Sequence, residues 1–231
     1  MSFEKNKKQK SRGGNSSSLR MVAGIGTFSA LAFAIATFCH FVIPAVGGFL
    51  SLDVKDSVIA IASFVYGPVS AVIISLIAAL LEFLTFSTTG WYGLVMNFAS
   101  SAVFSLTASL IYSKKRTFGG SMIGIYSAVA STTGVMLLLN LVVTPFYFGM
   151  PTSAVVDMIP VLLLPFNFAK TLLNSAIVVF LYKPLSVALA RIGLGARSLG
   201  KFKWNKKTAI AASVGAAALA ISMTVLIFLW I

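Results

Sequence analysis

The sequence predicts an all-α integral membrane protein, and three observations predict it. The chain of 231 residues is 58% apolar and 10% charged, with a mean hydropathy of +0.96, whereas soluble domains carry about a quarter charged residues. The apolar residues gather into successive runs, most of them near the roughly 20 residues that a helix needs to cross a bilayer. Sixteen of the eighteen Lys and Arg lie in three blocks, residues 5–20, 114–116 and 183–207, which flank apolar runs as positive-inside loops do.

Residues 1–20 are basic, Ser/Gly-rich and poor in apolar side chains, and read as a disordered cytoplasmic tail. The run from Met21 to Ile43 is too long for a signal-peptide core and no Ala-x-Ala site follows it, so it reads as a first spanning helix. Gly26, Ala30 and Ala34 recur at i, i+4 and i+8, a smooth face where another helix can come close. Ordinary packing within the chain explains the same spacing equally well. Residues 44–53 form an outer loop whose apolar content suggests that it folds back onto the protein. Asp53 and Asp56 suit the start of the second helix, where acids satisfy free N–H groups, and ligand contact is the other reading.

The second segment, 57–66, is short and ends at Tyr66-Gly67-Pro68, a tight inner turn into a third helix over 69–86. Glu82 lies near the outer end of that helix, with three readings open: ligand contact, an interfacial position, or an ion pair with Lys170. A fourth helix over 93–112 carries Asn97, Ser101 and Phe104 on one face. A fifth spans 121–143, holds Asn140 near its outer end and is expected to stop at Thr144-Pro145. The sixth runs from near Asp157 to Tyr182, with Lys183-Pro184 at its inner exit. Residues 191–207 form a basic linker, and 208–231 a seventh apolar helix with nothing polar enough to line a site.

With the N-terminus inside, every basic block falls on the cytoplasmic side. Lys55, Lys170, Asp53, Asp56, Glu82 and Asp157 fall in the outer half, which predicts a ligand site open to the outside. Its focus is the stretch Pro160 to Lys170. A lysine at the centre of a membrane helix costs roughly 2.5–3.5 kcal/mol, and Asn167, Lys170 and Asn174 share one helical face. If Pro160 and Pro165 break or kink the start of the helix, Lys170 sits near the floor of an outer cavity, with Asn167 above it and Asn140 across. A lysine that snorkels to the headgroups is the simpler alternative.

Other chemistries lack their residues. The net charge of +13 is placed for anionic lipid rather than nucleic acid, since the basic blocks flank apolar segments. Cys39 and His40 are the single cysteine and histidine, and both read as the outer end of the first helix. They allow no internal disulfide, multi-histidine metal site or Ser/His/Asp triad. There is no P-loop pattern and no cofactor signature. A serine–lysine pair using Lys170 has no motif behind it. The helices show neither an acid relay nor an inverted repeat of the proton-coupled carrier kind.

Five stretches in order carry a family resemblance: Leu52-Asp-Val-Lys-Asp56, Val65-Tyr-Gly-Pro68, Asn97-Phe-Ala-Ser-Ser101, Asn140 with Thr144-Pro145, and Leu164-Pro-Phe-Asn-Phe-Ala-Lys170. Over residues 21–190 the chain resembles the substrate-binding S component of energy-coupling factor (ECF) transporters, most of all the riboflavin-specific member. The resemblance implies a six-helix bundle in the cell membrane that captures a vitamin outside. It implies a transmembrane coupling subunit and two ATPases as partners, docked through Gly26, Ala30 and Ala34. It implies Asn167, Lys170, Asn140, Asn97, Phe49 and Leu50 as ligand-binding residues. The seventh helix and the apolar surroundings of Glu82 depart from the family pattern. The alternatives are another vitamin or a flavin nucleotide, a membrane-embedded enzyme using Lys170 or Glu82, and a purely structural subunit.

Overall fold

The computed structural model describes residues 2–191 and 206–230, with side chains described from Ser18 onward except for several in 183–191 and at 207–208. The elements are α1 (Ser2–Val42), α2 (Lys55–Tyr66), α3 (Pro68–Thr85), α4 (Gly90–Lys114), α5 (Phe118–Phe148), α6 (Thr152–Met158), a π-helical turn (Ile159–Leu163), α7 (Leu164–Arg191) and α8 (Lys206–Trp230). Six stretches are long and apolar enough to cross a membrane: Ser18–Val42, Pro68–Thr85, Gly90–Lys114, Phe118–Phe148, Thr152–Tyr182 and Ala209–Trp230.

The exception among the core segments is α2. Its 12 residues rise only about 18 Å, too short for a hydrocarbon core of roughly 30 Å. Instead α2 is the centre of the bundle. Residues 55–64 are all buried, and α1, α3, α4 and α7 pack around them. The loop 44–54 makes up the missing length by folding inward. Gly47 and Gly48 take φ of 60° and 81°, a region open to glycine. The turn they make is closed by paired 3.0 Å hydrogen bonds between Val46 and Leu50. Val46, Leu50 and Leu52 are buried against Val155, Leu163 and Phe166, so the loop does fold back onto the protein.

A helix that starts inside a bundle must find partners for its free N–H groups. Here α2 borrows one. The Asn174 Oδ1 on α7 accepts the Ser57 N–H at 2.8 Å, while its Nδ2 donates to the Asp53 and Lys170 carbonyls, each at 3.0 Å. Asp53 accepts the Lys55 N–H at 3.2 Å. Asp56 does not cap; its carboxylate receives the hydroxyls of Ser100 and Ser101 from α4.

Away from that loop the bundle is closely packed. Phe64, Phe104, Tyr112 and Tyr182 cluster with Ala60, Ala108, Ala128 and Val178. A Cβ at Gly124 would stand 2.6 Å from the Ala108 carbonyl oxygen, so α4 and α5 touch through small residues, as membrane helices do. At the tight turn, Gly67 with φ of 96° ends α2 and Pro68 begins α3.

Three boundaries differ from the sequence reading. The helical backbone of α1 continues through 2–20, where composition predicts a disordered tail; Lys, Glu and Gln are good helix formers and the spanning segment supplies the nucleus. Pro145 does not stop α5, which runs three more residues to Gly149 in the left-handed conformation. The proline forfeits only its own N–H, and the N–H groups of Gly149 and Met150 still close the last turn on the Pro145 carbonyl. Likewise Pro184 lies inside α7, which extends to Arg191. Most of the linker 191–207 lies outside the described residues. The seventh apolar helix, α8, packs along α7; Ser222 donates to the Ala169 carbonyl at 2.7 Å, and Leu226 joins the core around the loop.

Candidate functional site

Loop 44–54, the start of α4, the end of α5 and the start of α7 enclose a cavity of about 690 Å³, counting the space at its open mouth. Two irregular helix ends make room for it. The π turn at Ile159–Leu163, which holds Pro160, widens the helix just before α7. Pro165 follows in the first turn of α7. As the sequence reading expected, the start of this segment is irregular and Lys170 lies one to two turns below it.

All six ligand-binding candidates stand in the wall of this one cavity: Asn167, Lys170, Asn140, Asn97, Phe49 and Leu50. Phe166, Met96, Met136 and Val143 supply apolar wall, and Tyr92 and Tyr147, edge to face at 5.4 Å, supply aromatic wall. Mostly apolar walls with a few placed polar groups are what small-molecule sites look like. Sequence reasoning did not single out the two tyrosines. It also missed Thr144, whose hydroxyl donates to Asn140 Oδ1 at 2.8 Å while Asn140 Nδ2 donates to the Met136 carbonyl at 2.7 Å. The four-residue spacing of Asn140 and Thr144 on one helix carried that signal. Asn167 Nδ2 donates to the Leu163 carbonyl at 2.8 Å, which leaves its Oδ1 and the second N–H to offer to a ligand.

Lys170 does not snorkel. It is 6% exposed, and its ammonium donates to Asp53 Oδ2 at 2.8 Å and to the Ser51 carbonyl at 3.1 Å. The reading that pairs Lys170 with Glu82 is therefore corrected. Glu82 pairs with Lys55, at 2.7 Å to Oε1 and 2.8 Å to Oε2. Chain geometry decides this exchange. Asp53 ends the loop that folds in beside α7, while Lys55, two residues on, points across to α3. Lys55 also lies 3.5 Å from Asp53 Oδ2, so two ion pairs join into one buried network. Burial pushes the Asp53 carboxyl up, but the ammoniums of Lys170 and Lys55 outweigh it and hold the group at about 2.

Asp157 is exposed on α6, apart from this network. Cys39 is buried, and His40 stacks on Phe86 at 4.5 Å. Among the described residues no group of His, Cys, Asp and Glu is arranged to hold a metal. Gly26, Ala30 and Ala34 stand on the exposed side of α1, opposite the buried Ser29, Ala32 and Ala36. A Cβ at Gly26 would meet nothing within 4 Å.

A helical membrane bundle with a lined cavity near its end, and a central helix too short to span, is the architecture of a substrate-binding membrane protein. A family profile described as ECF transporter, substrate-specific component, matches residues 20–186. The riboflavin transporter RibU of Staphylococcus aureus (strain TCH60) is 33% identical over 174 residues, covering 73% of this chain and 91% of that protein. The riboflavin transporter FmnP of Bacillus subtilis (strain 168) is 24% identical over 162 residues, covering 66% and 85%. A solved structure described as the S component of a bacterial ECF transporter superposes with a TM-score of 0.64 at 33% identity, covering 74% of this chain and 98% of that one. The chain belongs to the substrate-specific components of ECF transporters, and it is thus a transporter subunit and not an enzyme. Helix α8 lies beyond the matched residues.

Proposed function

We propose that this chain binds riboflavin in the cavity and presents it for ATP-driven import. The observation that carries the reading is the convergence of Asn97, Asn140, Asn167 and Lys170, from three different helices, on one cavity with aromatic and apolar walls. Riboflavin needs both kinds of surface. Its isoalloxazine ring is flat and largely apolar, with an edge of alternating acceptors and a donor. Amides and an ammonium match that edge and the ribityl hydroxyls. Two relatives named as riboflavin transporters support the assignment.

A flavin nucleotide fits less well. Lys170 is the one cation of the described cavity wall, and its charge is already met by Asp53. A phosphate would bring a further buried negative charge without a partner.

In this reading the cavity faces the outside and the N-terminus the cytoplasm, because the basic blocks then lie inside. The exposed small-residue face of α1 docks the transmembrane coupling subunit, and two ATPases supply the energy. The test is direct. Protein purified in detergent from riboflavin-containing medium is expected to be yellow, and the stripped protein is expected to quench riboflavin fluorescence on titration. A colourless preparation that leaves the fluorescence unchanged rejects the reading.

A further inference from the structure

Glu82 does not line the ligand cavity. It borders a smaller neighbouring hollow of about 430 Å³, shared with His40, Asp53 and Phe86, and Asn97 stands in the wall between the two. Asn97 Nδ2 donates to Glu82 Oε2 at 3.0 Å. An ionised carboxylate only accepts, whereas an amide can turn either its NH₂ or its carbonyl toward a partner. Turning Asn97 over would set its oxygen against the carboxylate, oxygen to oxygen. Glu82 in turn is 3% exposed and gripped by the Lys55 ammonium, so it has little freedom to adapt.

From this geometry we infer that Glu82 is a positioning residue which fixes the polarity of the cavity wall: it holds Asn97 so that Oδ1 is the atom offered to the ligand, as an acceptor. Lys170, tied into the same network through Asp53, has used two of its three N–H groups and keeps one to offer as a donor. One buried network therefore orients an acceptor on α4 and a donor on α7. The ligand group that meets Asn97 Oδ1 must carry an N–H or O–H. If the riboflavin reading above holds, that group is the ring imide N–H or a ribityl hydroxyl.

Glu82→Gln reverses the arrangement. The Gln oxygen goes to Lys55, its NH₂ turns toward Asn97, and Asn97 flips to show its own NH₂ to the cavity. We expect riboflavin affinity, read by fluorescence quenching, to fall by about tenfold or more, the worth of one hydrogen bond with its partner left unpaired. In an Asn97→Ala background the same change is expected to alter affinity less than twofold. A role in folding alone would instead lower affinity by the same factor in both backgrounds. Because Glu82→Gln leaves Lys55 short of a counter-charge, the cycle is repeated with Lys55→Met and Glu82→Gln together, which removes both charges at once.

Analogues identify the ligand group. 3-Methylriboflavin lacks the imide N–H and lumiflavin lacks the ribityl chain. The one that loses the group facing Asn97 is expected to bind wild type weakly but to show little further loss in Glu82→Gln. Additive effects in both cycles, with wild type binding riboflavin normally, overturn the inference. Failure of the wild type to bind riboflavin at all overturns the functional reading instead.

Discussion

The two ends of the bundle solve opposite problems. At the cavity end, charges and amides are buried in one bonded network beside a cavity that a loop, a π turn and two prolines leave open. At the opposite end, Phe64, Tyr112, Phe118 and Tyr182 pack with small residues into a solid core. There the Phe64 and Tyr112 rings lie 4.5 Å apart, and Ser109 on α4 donates to the Ser63 carbonyl at 3.0 Å on α2. The cavity is thus a pocket with a packed floor rather than a channel. A ligand bound in it cannot be passed through the chain by side-chain motion alone.

Four perturbations separate the ends, and the largest effect is expected at Lys170. Lys170→Ala removes the proposed ligand donor and leaves the Asp53 carboxylate with the Lys55 N–H at 3.2 Å and the longer 3.5 Å contact to the Lys55 ammonium. Breaking one partner of a buried pair costs about 3–5 kcal/mol of stability, seen as a lower melting temperature, and the lost charged hydrogen bond, about 1.5–3 kcal/mol, should lower riboflavin affinity by about tenfold to a hundredfold in a quenching titration. An affinity within threefold of wild type would return Lys170 to a purely structural role. Next comes Asn174→Ala, which removes the cap that α7 lends to α2. It is expected to cost about 1–2 kcal/mol, seen as a lower melting temperature in detergent, with weaker binding because Asp53 and Lys170 lose a shared support. Gly124→Val, at the packed end, should cost about 1–3 kcal/mol through overpacking against the Ala108 carbonyl. The molecules that remain folded should bind ligand with unchanged affinity; a changed affinity would mean that the two ends are coupled. The smallest effect on the isolated chain is expected for Ala30→Leu with Ala34→Leu. These residues face outward, so melting and ligand affinity should hold, while co-purification with the coupling subunit should fail.

Much of the site was legible in the sequence because the membrane makes polar residues conspicuous. Asn140, Asn167 and Lys170 stand out in apolar runs, and charge placement assigns them to one half of the molecule. Less legible were the partners. Glu82 and Lys170 both invited an ion pair, and nothing in the linear order says that Lys55, rather than Lys170, reaches Glu82. Tyr92 and Tyr147 look like any interfacial aromatics until α4 and α5 bring them 5.4 Å apart. The extent of α5 was misjudged at Pro145 because a proline forfeits only its own N–H, and the residues after it still close the last turn on its carbonyl.

By itself the sequence determined the class, the number of apolar segments and the half of the molecule that gathers the polar residues. Hydropathy and charge are summed along a chain, and the bilayer reads them in the same one-dimensional way. Only the tertiary structure decided that α2 is a buried hub, that Asn174 caps it from another helix, and which carboxylate meets which lysine. Those are contacts between residues 27 to 121 positions apart, and no local pattern encodes distances of that kind. The same holds for the orientation of Asn97, which follows from a carboxylate 15 residues away on the neighbouring helix and decides what the cavity can ask of its ligand.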